Sequence, residues 1–299
     1  MKSYVLIVFL KGLSVLPLGA IRAAGRLIGG ISTLFPSRMM ATTRTNITLC
    51  FPKLDTNSRK KLANLSMINT YQTAAEGAAA WLWSPKKVLD HVLEVEGLDL
   101  LETAKAEGHG VVVLAPHLGN WEVFGLYLNN CGCGSSSQLY QAPRDKRMDQ
   151  MIFSARSRGG ATMVDTSNKG VAMLLKALKR GEIVGILPDQ VPLESGGEFA
   201  PFYGRQALTM TLVSRLIAKT GAKAVLGFAQ RINESQSHGW KIVFREVSSE
   251  IYAEHIIDSL TALNASVESA ANECPEQYQW EYKRFRAQPD GRQYYAKST

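Results

Sequence analysis

The chain has 299 residues, of which 45% are hydrophobic and 20% charged, which is typical of a globular protein with a large core and excludes long disordered regions. The formal net charge of +8 predicts an anionic partner, either a nucleic acid or an anionic membrane surface. The cysteines lack the usual metal-binding spacing, so we expect free thiols in a reducing compartment and no metal site; they are Cys50, Cys131, Cys133 and Cys274.

The N-terminal stretch from Tyr4 to Ile21 is apolar apart from Lys11, and it contains Pro17. A membrane-spanning helix needs about 20 apolar residues, so this stretch is of marginal length. A second apolar stretch runs from Leu27 to Phe35. Residues 1–35 are therefore predicted to be a membrane anchor, a pair of interfacial helices or a cleaved signal segment. The first two alternatives place the protein on a membrane, and the basic residues that flank the apolar stretch favour its cytoplasmic face.

Residues 36–299 are predicted to form one α/β domain. Apolar residues recur every three to four positions between residues 56 and 83, which predicts a long helix. Strands then alternate with helices, and the predicted strands are 92–95, 110–115, 162–164, 183–187, 224–230 and 241–247. This alternation predicts a mainly parallel or mixed central sheet flanked by helices. We expect a turn at serines 135–137, a long functional loop at 190–207 and a helix from Thr209.

A Pro-His-Leu-Gly-Asn turn follows the predicted strand 110–115 and leads into a helix. His117 lies in this turn and Glu122 in the first turn of the helix. A neutral imidazole can take a proton from a hydroxyl group near pH 7, and an adjacent carboxylate fixes its tautomer. The turn must fold His117 back towards Glu122, which Gly119 permits. From spacing alone, a general base and a structural loop histidine are equal alternatives.

With His117-Leu-Gly-Asn-Trp-Glu122, the sequence resembles the superfamily of glycerolipid and lipid A acyltransferases, whose motif is His-x4-Asp/Glu. It resembles in particular the lipid A biosynthesis lauroyl/myristoyl acyltransferases. The resemblance covers most of the chain, and its further segments occur in the family's order: the apolar N-terminus, Arg44–Pro52, Tyr140 with Arg144, Leu187–Gln190, Phe199–Gly204 and Gln279–Phe285.

The resemblance implies an O-acyltransferase that moves a fatty acyl chain from an acyl-carrier-protein or CoA thioester to a hydroxyl group of a lipid A precursor. It implies that His117 is the general base, that Glu122 orients it, and that no cofactor or metal is needed besides the thioester co-substrate. The expected partners are acyl carrier protein, an anionic lipid acceptor and the membrane. Another lipid acceptor is the main alternative: a glycerophospholipid, an aminolipid or a phosphatidylinositol mannoside.

Basic residues form a second group of candidates, suited to phosphates on the acceptor or on the carrier's prosthetic arm. They are Arg144, Lys146, Arg147, Arg156 and Arg158, with Lys283, Arg284 and Arg286 in the tail. The resemblance implies that an arginine after the catalytic segment contacts the acceptor, and both Arg156 and Arg158 fit by position. For any single one of these residues, a solvated surface position is the alternative.

Asp189 follows a buried strand and a proline, so we expect it at the same edge of the sheet as His117, where ligands bind in open α/β sheets. Asn120, Arg144, Arg156, Arg158 and Asp189 are the predicted substrate-binding residues. The aromatic residues at 199–203 are predicted either to close over the acyl chain or to plug the core. A nucleic-acid or membrane-surface binder is the alternative outside the enzymes, but the sequence contains no nucleic-acid motif.

Overall fold

The computed structural model describes residues 2–143, 145–233 and 238–295. Arg144 and the tip of the predicted hairpin at 234–237 lie outside the described residues. Within them the strands are β1 Val92–Glu96, β2 Val111–Leu114, β3 Ser136–Leu139, β4 Thr162–Val164, β5 Ile183–Ile186, β6 Gly197–Phe202, β7 Arg205–Met210, β8 Lys223–Asn233 and β9 His238–Glu246.

The described helices pack around the sheet that most of these strands form. They are α1 Lys2–Ser14, α2 Leu18–Ser32, α3 Arg38–Cys50, α4 Thr56–Leu82, α5 Pro85–Leu89, α6 Leu98–Ala106, α7 Trp121–Leu128, α8 Lys146–Arg158, α9 Asn168–Lys179, α10 Leu212–Thr220 and α11 Ile256–Glu273. The long helix predicted after residue 56 is confirmed as α4, and the side chain of Asp55 caps it by accepting from the backbone of Asn57 and Ser58.

The central sheet has the strand order β1-β9-β8-β2-β5-β3-β4. All neighbours are parallel except β8 and β9, which form an antiparallel hairpin. The predicted mainly parallel sheet flanked by helices is therefore confirmed. All four residues of β2 are fully buried, because both faces of a parallel sheet are covered by helices. Val112 and Leu114 pack into one core layer, and Val111 and Val113 pack into the other.

The apolar N-terminal stretch is divided into two helices. Pro17 stands at the N-cap of α2, so α1 ends before it and a new helix begins after it. Within the residues that the structure describes, no helix has both the length and the apolar character needed to cross a membrane. Helix α2 packs closely on α4: a Cβ atom on Gly25 or Gly29 would lie 2.7 Å from a backbone Cα of α4.

Three predictions of local structure were wrong. Serines 136 and 137 lie in strand β3 and not in a turn, because parallel pairing with β4 and β5 satisfies their backbone and buries their small side chains. The loop predicted at 190–207 contains most of an antiparallel hairpin, β6–β7, and the helix predicted from Thr209 begins at Leu212. The hairpin turns at Tyr203 and Gly204, which both have positive φ, as expected for a two-residue turn.

Candidate active site

Two adjacent parallel strands bring His117 and Asp189 together. In the register of β2 and β5, Leu114 is level with Ile186. His117 is the third residue after Leu114, Asp189 is the third after Ile186, and a proline precedes each of them. Because the two segments start from paired residues and have the same length, they bring His117 and Asp189 to the same edge of the sheet. The Nδ1 atom of His117 lies 2.8 Å from Oδ1 of Asp189, and the backbone N–H of His117 donates to Oδ2 at 2.9 Å.

This pairing prepares one nitrogen of the ring to accept a proton. Burial acts to raise the pKa of Asp189, but the charge and hydrogen bonds of His117 outweigh it and hold the pKa below its ordinary value. An ionised Asp189 accepts a hydrogen bond from the Nδ1–H group, so the proton of the neutral ring stays on Nδ1 and the lone pair is on Nε2. The His117 side chain is 13% exposed, and its ring lies edge-on to Trp121 with 4.9 Å between centroids. The arrangement therefore suits a general base.

Glu122 does not make the contact predicted for it. Its carboxylate is bound by Arg156 of α8 through two hydrogen bonds, from Nε at 2.9 Å and from Nη2 at 2.7 Å. Burial acts to raise the pKa of Glu122, but Arg156 outweighs it and the pKa lies below its ordinary value. The predicted orienting role is corrected: Asp189 holds the ring of His117, while Glu122 pairs with Arg156.

An apolar pocket lies beside this ion pair. It encloses about 610 Å³ of unoccupied space, part of it open to solvent, between the sheet and helices α4, α7 and α8. Glu122 and Arg156 form a polar part of its wall, and Tyr140 stacks 5.3 Å from the Arg156 guanidinium. Apolar side chains form much of the rest, among them Ala80, Leu126, Leu128, Leu139, Ala155 and Leu187. The pocket also reaches Trp121, which contacts the ring of His117.

The turn that carries His117 is clamped by β8 and by the tail. Gly119 has φ of 61°, and a Cβ atom there would lie only 2.0 Å from the carbonyl oxygen of Ala229, so glycine is required. The backbone N–H of Gln279 donates to the His117 carbonyl at 3.0 Å, and Gly119 donates to the Gln277 carbonyl at 3.0 Å. The tail segment thus fixes the backbone on both sides of Leu118.

Asn120, predicted to bind substrate, is only 1% exposed. Its Oδ1 atom caps α7 by accepting from Val123, and its Nδ2 atom donates to Glu76 at 2.8 Å. The substrate-binding role is corrected, because both ends of the amide are used inside the protein.

Glu76 is the centre of a fully buried ion cluster. Its Oε1 atom accepts from Arg22 of α2 at 2.6 Å and from Arg231 of β8 at 2.7 Å. Burial acts to raise the pKa of Glu76, but the two guanidinium groups outweigh it and hold the pKa at about 2. Through Asn120 this cluster also supports the start of α7, so it ties the N-terminal helices to the turn of His117.

The predicted basic residues are scattered. Arg156 faces the pocket, Arg144 lies outside the described residues, and Arg158 is exposed and donates to the backbone carbonyl of Trp81. Arg284 is 4% exposed and donates to the carbonyl of Leu208, so it is not available to bind a phosphate. The structure thus favours Arg156 over Arg158 as the arginine nearest the pocket.

Three residues near His117 were missed or misassigned by sequence reasoning. Asp189 was predicted to bind substrate, and Gln190 and Gln279 were given no role. In the structure the side chain of Gln190 donates to Nε2 of His117 at 3.2 Å and to Oε1 of Gln279 at 3.1 Å. A signal for Asp189 was present: a Pro-His and a Pro-Asp pair each follow a buried strand at the same distance. Of the aromatic side chains at 199–203, two pack into the core: Phe202 is buried, and Tyr203 packs on Phe51.

The sequence is similar to those of known proteins along most of its length. Residues 1–287 match the family model described as bacterial lipid A biosynthesis acyltransferase. The chain is 26% identical over 276 residues to the lipid A biosynthesis palmitoleoyltransferase of Escherichia coli, with 92% of this chain and 88% of the relative covered. It is 23% identical over 280 residues to the lipid A biosynthesis lauroyltransferase of the same organism, with the same coverage. A lipid A biosynthesis acyltransferase of Haemophilus influenzae is 26% identical over 257 residues, which cover 84% of this chain and 77% of the relative.

Proposed function

Because this chain belongs to the bacterial lipid A biosynthesis acyltransferase family, we propose that it transfers a fatty acyl chain from an acyl-carrier-protein thioester to a hydroxyl group of a lipid A precursor. The family and its named relatives support acyl transfer. The observation that carries the proposal is the His117–Asp189 pair beside an apolar pocket.

The reaction needs one proton to be moved twice. Nε2 of His117 takes the proton of the acceptor hydroxyl while its oxygen attacks the thioester carbonyl, and Asp189 stabilises the imidazolium that forms. The tetrahedral intermediate collapses, the carbon–sulfur bond breaks, and the leaving thiolate takes the proton from His117. The products are an ester and a free thiol, and His117 returns to its neutral form. No covalent acyl-enzyme is needed, because the thioester already has a good leaving group.

In this proposal the apolar pocket receives the acyl chain of the donor. Its lining of aliphatic side chains suits a hydrocarbon, and its wall includes Trp121, which touches the ring of His117. The Glu122–Arg156 pair crosses the wall between α7 and α8 and fixes the distance between those two helices. Arg156 is also the candidate for a polar contact with substrate at this wall.

The N-terminal helices α1 and α2 are proposed to lie on the cytoplasmic face of the inner membrane. Their outer surface exposes large apolar side chains, which a lipid interface would cover. Among these are Tyr4, Val5, Val8, Phe9, Leu27 and Ile31. Exposed Lys11 and Arg26 on the same two helices suit anionic lipid headgroups.

The test uses cells that lack this protein. Their lipid A is compared by mass spectrometry with that of cells given back the wild-type chain or the His117→Ala variant at equal abundance. We expect the wild type to add one acyl chain to lipid A and the variant to add none. Purified protein offered the acyl-carrier-protein and CoA thioesters in parallel identifies the donor. An unchanged lipid A profile with the wild-type chain would contradict the proposal.

A further inference from the structure

Nε2 of His117, the atom that must accept the proton, is already hydrogen-bonded to the amide of Gln190. The two N–H bonds of that amide are both used, one towards Nε2 at 3.2 Å and one towards Oε1 of Gln279 at 3.1 Å. Gln279 is itself tied to the turn, since its backbone N–H donates to the carbonyl of His117. The two glutamines therefore form a bridge across the reactive nitrogen.

The direction of the bridge agrees with the state of the ring. Asp189 accepts a hydrogen bond from Nδ1–H, so Nε2 is an acceptor and needs a donor, which the Gln190 amide supplies. Oε1 of Gln279 likewise accepts from a donor, and the amide nitrogen of Gln190 contacts both acceptors. Both glutamines are half-buried at the mouth of the site.

A water molecule and a lipid acceptor differ in how they can displace this bridge. A water at Nε2 would offer one donor in place of another, so the exchange brings no net gain in hydrogen bonding. A lipid acceptor makes further contacts outside the reacting atoms, and their binding free energy can offset the loss of the two amide hydrogen bonds. The bridge therefore discriminates between the two nucleophiles.

We propose that Gln190, braced by Gln279, is a specificity-determining residue that covers the general base until a lipid acceptor displaces it, and so suppresses hydrolysis of the acyl thioester. This inference rests on the proposed acyl transfer. In the suppressed reaction, water gives a proton to Nε2 of His117, the water oxygen bonds to the acyl carbon, the carbon–sulfur bond breaks, and the leaving thiolate takes the proton from His117. The products are a free fatty acid and the free thiol.

The test measures two rates with the purified full-length chain in detergent micelles and lauroyl-acyl carrier protein as donor. One rate is the release of lauric acid without acceptor, and the other is transfer to a lipid A precursor. Removing the amide opens Nε2 to water, so Gln190→Ala should raise hydrolysis about tenfold, which corresponds to roughly 1.4 kcal/mol of barrier. Gln279→Ala keeps the covering amide but removes its brace, so we expect a rise of about threefold. Gln206→Ala, an exposed glutamine on β7, is the matched control and should leave both rates unchanged.

The double variant Gln190→Ala/His117→Ala should lose the increase in hydrolysis that Gln190→Ala shows, because the water that now reaches the site still needs Nε2 of His117 as its base. A ratio of hydrolysis to transfer that is the same in Gln190→Ala, Gln279→Ala and Gln206→Ala would overturn the inference. Slower transfer without faster hydrolysis would also overturn it and would assign Gln190 to the transfer step itself. If Gln190→Ala does not fold, Gln279→Ala carries the test alone. Failure of the wild type to acylate the precursor would instead contradict the proposed function.

Discussion

Two buried carboxylates of this molecule, Asp189 and Glu76, show how similar electrostatics can serve different purposes. For each, burial acts to raise the pKa, and a cationic or hydrogen-bonding partner outweighs burial and lowers it. Asp189 faces a histidine whose second nitrogen reaches the mouth of the site. Glu76 faces two arginines that remain charged and are enclosed with it. An imidazole can exchange a proton in general acid–base chemistry and a guanidinium cannot, so of these two arrangements the one at Asp189 suits proton transfer.

The first way to test this difference is to remove the base. His117→Ala should lower kcat for acyl transfer by roughly 10³-fold, within the range for loss of a general base. Its melting temperature should fall only modestly: the buried carboxylate of Asp189 loses the ring, but the backbone N–H of residue 117 still donates to it, and the other backbone contacts of the turn remain. Steady-state kinetics and thermal unfolding measure the two effects. A variant with normal kcat, or one that is inactive because it is unfolded, would contradict the comparison.

Glu76 should behave in the opposite way, with a large effect on stability. Its folded pKa of about 2 lies below the ordinary value of 4.5, so its ionisation stabilises the fold above pH 4.5, and this contribution is lost as pH falls towards 2. A difference of this size corresponds to about 3 kcal/mol of unfolding free energy. Urea unfolding at a series of pH values should show this loss in the wild type, superimposed on the loss from other carboxylates.

Glu76→Gln is the matched variant, because it keeps the size of the side chain but cannot ionise. It should be less stable than the wild type at neutral pH, and the difference between the two proteins should shrink as pH falls from 4.5 to 2. A constant difference across that range would mean that the charge of Glu76 does not stabilise the fold.

A smaller effect separates the two arginines that sequence reasoning could not distinguish. Arg156→Ala leaves the carboxylate of Glu122 nearly buried without its cation, which should cost about 1–3 kcal/mol of unfolding free energy and reduce activity. Arg158→Ala removes an exposed side chain from the same helix and should change stability by no more than about 0.5 kcal/mol. Denaturant titration of both variants measures their free energies of unfolding, and acyl-transfer assays measure their activities. Equal effects would contradict the assignment of Arg156 to the pocket.

Much of the fold could be predicted because it follows from local patterns. Each of these patterns lies within one continuous segment of the sequence. Examples are the runs of apolar residues that become β2 and β5 and the helical periodicity of α4. Strand β3 was misjudged because its serines have turn preferences that pairing on both sides overrides. Hairpin β6–β7 was misjudged because its turn places Tyr203 at positive φ, which sequence patterns rarely indicate.

The position of His117 in a turn after a buried strand could be predicted, but the partner of its ring could not. His117 was identified within its own turn, and Glu122 was assigned to it because the two are neighbours in sequence. The observed partner, Asp189, is 72 residues away and becomes adjacent only through the register of β2 and β5. Sequence distance favoured the wrong carboxylate, whereas strand order and register identify the right one.

The orientation of His117 by Asp189 is tested most directly by nitrogen-15 NMR of the ring under conditions where it is neutral. The wild type should carry its proton on Nδ1. In Asp189→Asn the amide can donate to Nδ1, so the proton should move to Nε2 and acyl transfer should fall with it. In Glu122→Gln the ring should keep the wild-type tautomer. The account would be contradicted if the proton stayed on Nδ1 in Asp189→Asn and moved to Nε2 in Glu122→Gln.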